Sequence, residues 1–113
     1  MPYLSICISK QVDSSTKNKL QLEIGKIISI IPGKTVSNTT INISDNHTMY
    51  KDTIAFEGAF VDVRLYKNSP EESKKEFAMQ IFQIFESILQ IPNSNVQINF
   101  IEMPAWASNG NYF

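Results

Sequence analysis

Three features of this chain supply the parts of a proton transfer beside a carbonyl: Pro2 directly behind Met1, Lys34 in the segment Pro32-Gly33-Lys34, and amide side chains on strand-like segments. Shifting a proton between carbon and oxygen takes a base near the carbon, a charge to hold an acid group, and donors for the developing enolate oxygen. Removal of Met1 turns Pro2 into a secondary amine at the end of an alternating run, Pro2-Tyr3-Leu4-Ser5-Ile6-Cys7-Ile8. A free α-amine titrates around ~8 in peptides, and burial beside a cation such as Lys34 lowers it toward working pH, where it is a competent general base. Each part also has a plainer role. A proline in second position is a small residue that permits Met removal, and Lys34 is a helix C-terminal cation favoured by the macrodipole.

Composition narrows the partners. With 113 residues the chain is expected to form a single domain, 1–113, large enough for a core and small enough to gain from oligomerisation. A net charge of -1 with interspersed signs offers no basic stripe, so neither nucleic acid nor a membrane is expected as a partner. Cys7 is the only cysteine, which excludes an internal disulfide, and it reads as a small strand residue. No Cys/His cluster has zinc-ligand spacing, so no metal is expected. His47, in Asp45-Asn46-His47-Thr48, reads as a solvated loop histidine, and Lys74-Lys75 with Glu71 and Glu72 as a solvated helix face. No apolar run approaches bilayer-spanning length and the N-terminus lacks a signal-peptide pattern. The expected location is cytoplasmic, with secretion without a signal peptide left open.

The elements that must position these groups follow from periodicity. The first strand puts Leu4, Ile6 and Ile8 on a core face and Tyr3, Ser5, Cys7 and Ser9 on the other. Asp13, Ser14 and Ser15 offer N-caps for a helix in which Leu20, Ile24, Ile27, Ile28 and Ile31 recur until Pro32-Gly33. A second strand is expected over 39–44, with Ile41 and Ile43 inward. The cycle then repeats. Ala59, Val61, Val63 and Leu65 alternate with Phe60, Asp62, Arg64 and Tyr66, and Ser69-Pro70-Glu71-Glu72 reads as a capping box with Pro at the first helical position. Phe77, Ile81, Ile84, Phe85 and Ile88 make the apolar stripe of that helix, which closes at Ile91-Pro92, and Val96, Ile98 and Phe100 mark the fourth strand.

The two halves share wording: Ile31-Pro32 precedes Ile41-Asn42-Ile43-Ser44-Asp45 as Ile91-Pro92 precedes Ile98-Asn99-Phe100-Ile101-Glu102. Such an internal duplication of βαβ units, each with a right-handed crossover, predicts an α+β fold: a four-stranded mixed sheet with both helices on one face. The opposite face mixes Ser5, Cys7, Asn42, Asp62, Arg64, Gln97 and Asn99 with Tyr3, Phe60, Tyr66 and Ile101. It is too apolar for water and too polar for a dry core, and a partner subunit is the expected cover.

In order along nearly the whole chain, the Pro2 start, Gly33-Lys34, Ala59-Phe60-Val61-Asp62-Val63-Arg64, Ser69-Pro70-Glu71-Glu72, Val96-Gln97-Ile98-Asn99-Phe100-Ile101-Glu102-Met103 and the tail Trp106-Ala107-Ser108-Asn109-Gly110-Asn111-Tyr112-Phe113 resemble the macrophage migration inhibitory factor family of the tautomerase superfamily. The resemblance implies a homotrimer with active sites at subunit boundaries. It implies keto-enol tautomerisation of phenylpyruvate-like or dopachrome-like compounds, small aromatic keto or enol acids, without a cofactor. Pro2 is then the catalytic base, Lys34 the contact for the substrate carboxylate, and the backbone at Tyr66 a further hydrogen-bonding group. Asn99 matches a binding position supplied by the neighbouring subunit, and Gln97 stands where the best-known member has a tyrosine. Met103, Trp106 and Phe113 are implied to wall an aromatic pocket. The CxxC of some animal members is absent, so thiol-redox chemistry has no residues here. Arg64 is the only arginine, which leaves an arginine clamp of the dehalogenase type unsupported. The alternative reading is a cytokine-like binding or signalling trimer in which tautomerisation is a by-product of the proline amine.

Overall fold

The structure, a computed structural model, describes all of Met1–Phe113. The alternating N-terminal run forms β1 (Tyr3–Ile8), with Leu4, Ile6 and Ile8 fully buried. The chain turns into α1 (Ser14–Ile27) where the Asp13 carboxylate accepts the Thr16 N–H at 2.8 Å, and a 3₁₀ turn over Ile28–Ile30 tightens its end. Next come β2 (Thr40–Ser44) and a small hairpin of β3 (Tyr50–Lys51) and β4 (Ile54–Ala55). The second half runs β5 (Ala59–Tyr66), α2 (Glu71–Leu89), β6 (Val96–Met103) and a terminal hairpin of β7 (Ala107–Ser108) and β8 (Asn111–Tyr112).

The four long strands form one mixed sheet in the order β2-β1-β5-β6. β1 pairs parallel with β2 and β5 parallel with β6, while β1 and β5 run antiparallel at the centre, as two βαβ units require. The core lies between one face of this sheet and the two helices: Leu4, Ile6, Val61, Val63 and Leu65 meet Leu20, Ile24, Phe77, Ile81 and Phe85 with no exposed surface on any of them. No helix is long and apolar enough to cross a membrane.

The duplication holds at atomic detail with a constant spacing of 57 residues, Met1 falling on Gly58 and Phe56 on Phe113. In the first half the Asp45 carboxylate takes the Val12 N–H at 2.7 Å and the Lys17 ammonium at 2.8 Å. In the second half Glu102 takes the Ser69 N–H at 2.6 Å and the Lys74 ammonium at 3.0 Å. Each carboxylate thus ties the far end of its second strand to the entry of its own helix. The hairpins match too: Phe56 N–H donates to the Met49 carbonyl at 3.0 Å as Phe113 N–H donates to that of Trp106 at 2.8 Å.

This register corrects three expectations. The capping box does not close, because Glu102, rather than Glu72, takes the Ser69 N–H, and α2 starts at Glu71 with Pro70 at its cap. The two Ile-Pro pairs are not equivalent: α2 stays helical to Leu89, and at the spacing of 57 Ile91, not the Ser94 that matching the Ile-Pro pairs would give, occupies the position of Lys34 in the repeat. The second strand begins at Thr40 rather than residue 39.

Candidate functional site

Pro2 is buried at the start of β1, where its carbonyl accepts the Thr40 N–H at 3.2 Å and fixes it between the two parallel strands. Continuing the antiparallel register of β1 and β5 places it beside the Leu65–Tyr66 end of β5. Lys34 reaches the same end from the other side. Pro32 and Gly33, the latter at φ +79, bend the chain so that the Lys34 N–H donates back to the Ile31 carbonyl at 3.1 Å. That positive φ suits glycine, and proline before it pre-sets the turn. The Lys34 ammonium then donates to the Tyr66 carbonyl at 3.1 Å.

The electrostatics are those of a tuned amine. With Met1 in place the N-terminal amine is that of Met1, and its pKa is lowered from the ordinary value, first by burial, then by the positive charge of Lys34 and a hydrogen bond with it. Both influences disfavour the charged form.

A cleft of about 340 Å³ opens here, lined by Met1, Pro2, Tyr3, Arg64, Trp106 and Ser108, with Asn38 and Thr40 at its edge. The terminal hairpin builds one wall. Asn109 and Gly110, at φ 52 and 76, make its tight turn and return Phe113 against Tyr66, with ring centroids 5.7 Å apart. Met103 ends β6 paired with Tyr66, and its carbonyl accepts the Lys67 N–H at 2.9 Å. Of the expected site residues Pro2 and Trp106 line this cleft, whereas Lys34, Tyr66, Met103 and Phe113 lie at the same end of the sheet without lining it.

Gln97 and Asn99 do not join them. By register Gln97 lies opposite Phe60 and Asn99 opposite Asp62. Six and four residues of strand separate them from the level of Tyr66, roughly 20 Å and 13 Å. Gln97 instead borders a second cleft of about 340 Å³ with Met49, Tyr50, Phe56, Ala59 and Phe60. That cleft is the duplicated counterpart of the first, with Ala59 in the place of Pro2 and Ile91 in the place of Lys34. It has no counterpart of Pro2 or Lys34, and the cation in its lining is Lys51, which stands where the first cleft has Ser108. The Asn99 Oδ1 is buried on the open face of the sheet without a hydrogen-bond partner.

Sequence reasoning passed over both hairpins and the cleft position of Arg64. Asn109-Gly110 is a strong hairpin signal. Asp52-Thr53, at φ 53 and 66, carries only half of one, since a β-branched residue resists that conformation.

No protein-family model and no curated protein sequence matches the chain. Solved structures do. Leishmania major MIF2 superposes with a TM-score of 0.91 at 19% identity, over 100% of this chain and 97% of that one. The macrophage migration inhibitory factor-like protein of Entamoeba histolytica gives 0.86 at 20% identity, over 99% and 98%. Fused 4-OT in an asymmetric trimer gives 0.86 at 13% identity, over 96% and 94%. The fold is that of macrophage migration inhibitory factor and 4-OT proteins, across the full chain and both repeats.

Proposed function

We propose that this chain is a cofactor-independent keto-enol tautomerase acting on phenylpyruvate-like or dopachrome-like substrates, with the Pro2 amine as general base once Met1 is removed. The observation that carries the reading is the pairing of a buried Pro2 beside a cleft with a lysine whose charge already lowers the amine at that end of the chain. Membership of the fold shared with 4-OT supports it.

In the enolising direction the neutral Pro2 nitrogen takes a proton from the carbon next to the carbonyl. The C–H electron pair becomes the C=C bond and the carbonyl oxygen takes up the charge, then a proton. Lys34 holds the substrate carboxylate, which sets the distance between carbon and base. Tyr66, Trp106, Phe113 and Met103 bound the aromatic ring. The Tyr66 carbonyl anchors the lysine and so acts through Lys34 as well as on the substrate. Donors to the oxygen come from Asn99 and Gln97 of a neighbouring copy, because their own chain holds them too far from its Pro2.

A homotrimer is part of the proposal. The open sheet face exposes Phe60 and half-exposes Tyr3, Cys7 and Ile101, and it holds the unpartnered Asn99 carbonyl. One end of the chain carries the Pro2 cleft and the other the Gln97 cleft, so a contact joining them is head-to-tail, and a rotation of a third of a turn between copies closes it into the proposed trimer. The test is an absorbance assay of phenylpyruvate and a dopachrome ester with chains shown by intact mass to start at Pro2. Turnover supports the enzyme; a trimer of such chains with no turnover leaves the binding-protein reading in its place.

A further inference from the structure

Asn38 ends the 3₁₀ turn Val36–Asn38, just ahead of β2, and borders the cleft of Pro2. Backbone bonds close that turn: the Asn38 N–H donates to the Thr35 carbonyl at 3.1 Å and the Thr39 N–H to that of Val36 at 3.2 Å. The Asn38 side chain is exposed and bonds to nothing in its own chain, whereas its neighbours Thr35, Ser37 and Thr39 bond among themselves. The turn therefore forms without the amide.

The second repeat carries the same residue at the same place, and there the amide is occupied. At the spacing of 57 Asn38 falls on Asn95, at the end of the 3₁₀ turn Asn93–Asn95 just ahead of β6. The Asn95 Nδ2 donates to the Glu57 carbonyl at 3.0 Å. That carbonyl belongs to the strip Glu57-Gly58 leading into Ala59, the counterpart of Pro2, and only Gly58 separates it from the Ala59 nitrogen. The strip is held closely. A Cβ added to Gly58 would collide with the Phe56 ring and come within 2.7 Å of the Asn95 carbonyl, and the Gly58 N–H donates to the Ser9 hydroxyl at 2.9 Å. The counterparts of Asn95, Phe56 and Ser9 in the first half are Asn38, Phe113 and Tyr66. Removal of Met1 leaves to a ligand the place that Gly58 and the Glu57 carbonyl fill in the second repeat.

We infer that Asn38 is a catalytic residue of the Pro2 cleft, its amide donating to the carbonyl oxygen of a bound 2-oxo acid as the Asn95 amide donates to the Glu57 carbonyl. The inference rests on the proposed tautomerase reading for the removal of Met1 and for the class of substrate. As Pro2 takes the proton from carbon, the C–H pair forms the C=C bond and the carbonyl π pair moves onto this oxygen, so the bond from Asn38 strengthens as the charge develops. The donor comes from the same chain as the base and adds to those of the neighbouring copy.

Two measurements separate this inference from the tautomerase reading. The first is equilibrium binding, by calorimetry on Pro2-started protein, of phenylacetate and phenylglyoxylate, two acids that differ by the carbonyl oxygen and of which the second has no hydrogen to enolise. One hydrogen bond should make phenylglyoxylate bind roughly two- to tenfold more tightly. Asn38→Ala should abolish that preference, and so should Asn38→Asp, which keeps the size and cannot donate when ionised. A wild type without the preference, or a preference that survives both substitutions, overturns the inference whatever the turnover. The second is phenylpyruvate turnover, in which Asn38→Ala should lower kcat by about tenfold or more and change KM by about twofold at most. An unchanged kcat, with or without a raised KM, overturns a role at the developing charge. Absence of turnover in the wild type with the carbonyl preference intact and lost in Asn38→Ala would instead contradict the tautomerase reading and leave the carbonyl contact standing.

Discussion

Replacing Lys34 by alanine removes two things at once, and the structure separates their signatures. The first is the proposed hold on the substrate carboxylate. A hydrogen bond to a charged partner is worth about 1.5–3 kcal/mol, so KM for phenylpyruvate should rise roughly ten- to hundredfold. The methyl ester has no carboxylate to lose, and its KM should change several-fold at most. The second is the influence on the amine. Burial is the larger cause of the lowered pKa at this end and survives the substitution, whereas the Lys34 charge and hydrogen bond do not. The base is active when neutral, so kcat/KM rises with pH through its pKa and then levels off. In Lys34→Ala that rise should move to higher pH, toward the ordinary α-amine value near ~8, without passing it. The assay is absorbance of the enol on Pro2-started protein across pH, for acid and ester in parallel. Equal KM changes for acid and ester together with an unmoved pH midpoint would refute the role of Lys34 in both binding and tuning.

Light scattering at micromolar concentration should give the mass of a trimer; a monodisperse monomer would remove the inter-subunit donors along with the assembly. Gln97→Tyr should raise kcat/KM for phenylpyruvate roughly two- to tenfold, the range of one added aromatic contact, and a neutral or harmful result would mean that Tyr66 or Trp106 already supplies it. The clamp of the second repeat predicts a pH dependence of stability. Glu102 is held below the usual carboxylate range, first by the Ser69 N–H and then by Lys74, so its contribution is present above about 4.3 and lost as pH falls through the lowered value. Lys74 is raised, first by its hydrogen bond to Glu102, so its contribution is present below about 10.4 and lost as pH climbs through the raised value. Glu102→Gln should lower the urea midpoint at pH 7 and flatten the acid limb of its pH profile; an unchanged profile would show the clamp to be inert.

Much of this architecture is legible in the residues, because each strand buries one face and period-two alternation survives intact in Leu4-Ser5-Ile6 and Val61-Asp62-Val63. The first helix is equally plain, since Asp13 caps it and the Ile24, Ile28 and Ile31 spacing has nowhere else to go. The repeat was visible in its wording but not in its register. Both helices end near an Ile-Pro pair, and it is the strand pairing, Tyr3 with Thr40 in one half and Phe60 with Gln97 in the other, that sets the spacing of 57 and places Lys34 against Ile91. The misreading at Ser69 has a similar origin: a local four-residue pattern cannot reveal that a carboxylate 33 residues later takes the same N–H. Of the site, the Pro2 and Lys34 end follows from chain order and one Pro-Gly turn. The position of Arg64 at the cleft does not, because strand alternation says only which face it occupies, and the cleft beside it is walled by a hairpin from the far end of the chain.

The central claim is that the nitrogen of Pro2 is the base, and it depends on a single covalent bond. With Met1 attached that nitrogen is an amide without useful basicity; with Met1 removed it is a secondary amine one residue from the Met1 amine, whose pKa burial and Lys34 lower. The most direct measurement is phenylpyruvate turnover in preparations whose fraction of Pro2-started chains is known from intact mass, with Pro2→Gly as a control for the ring. Activity should scale with that fraction, and Pro2→Gly should lose most turnover while keeping its assembly. Full activity from a preparation uniformly started at Met1 would contradict the account.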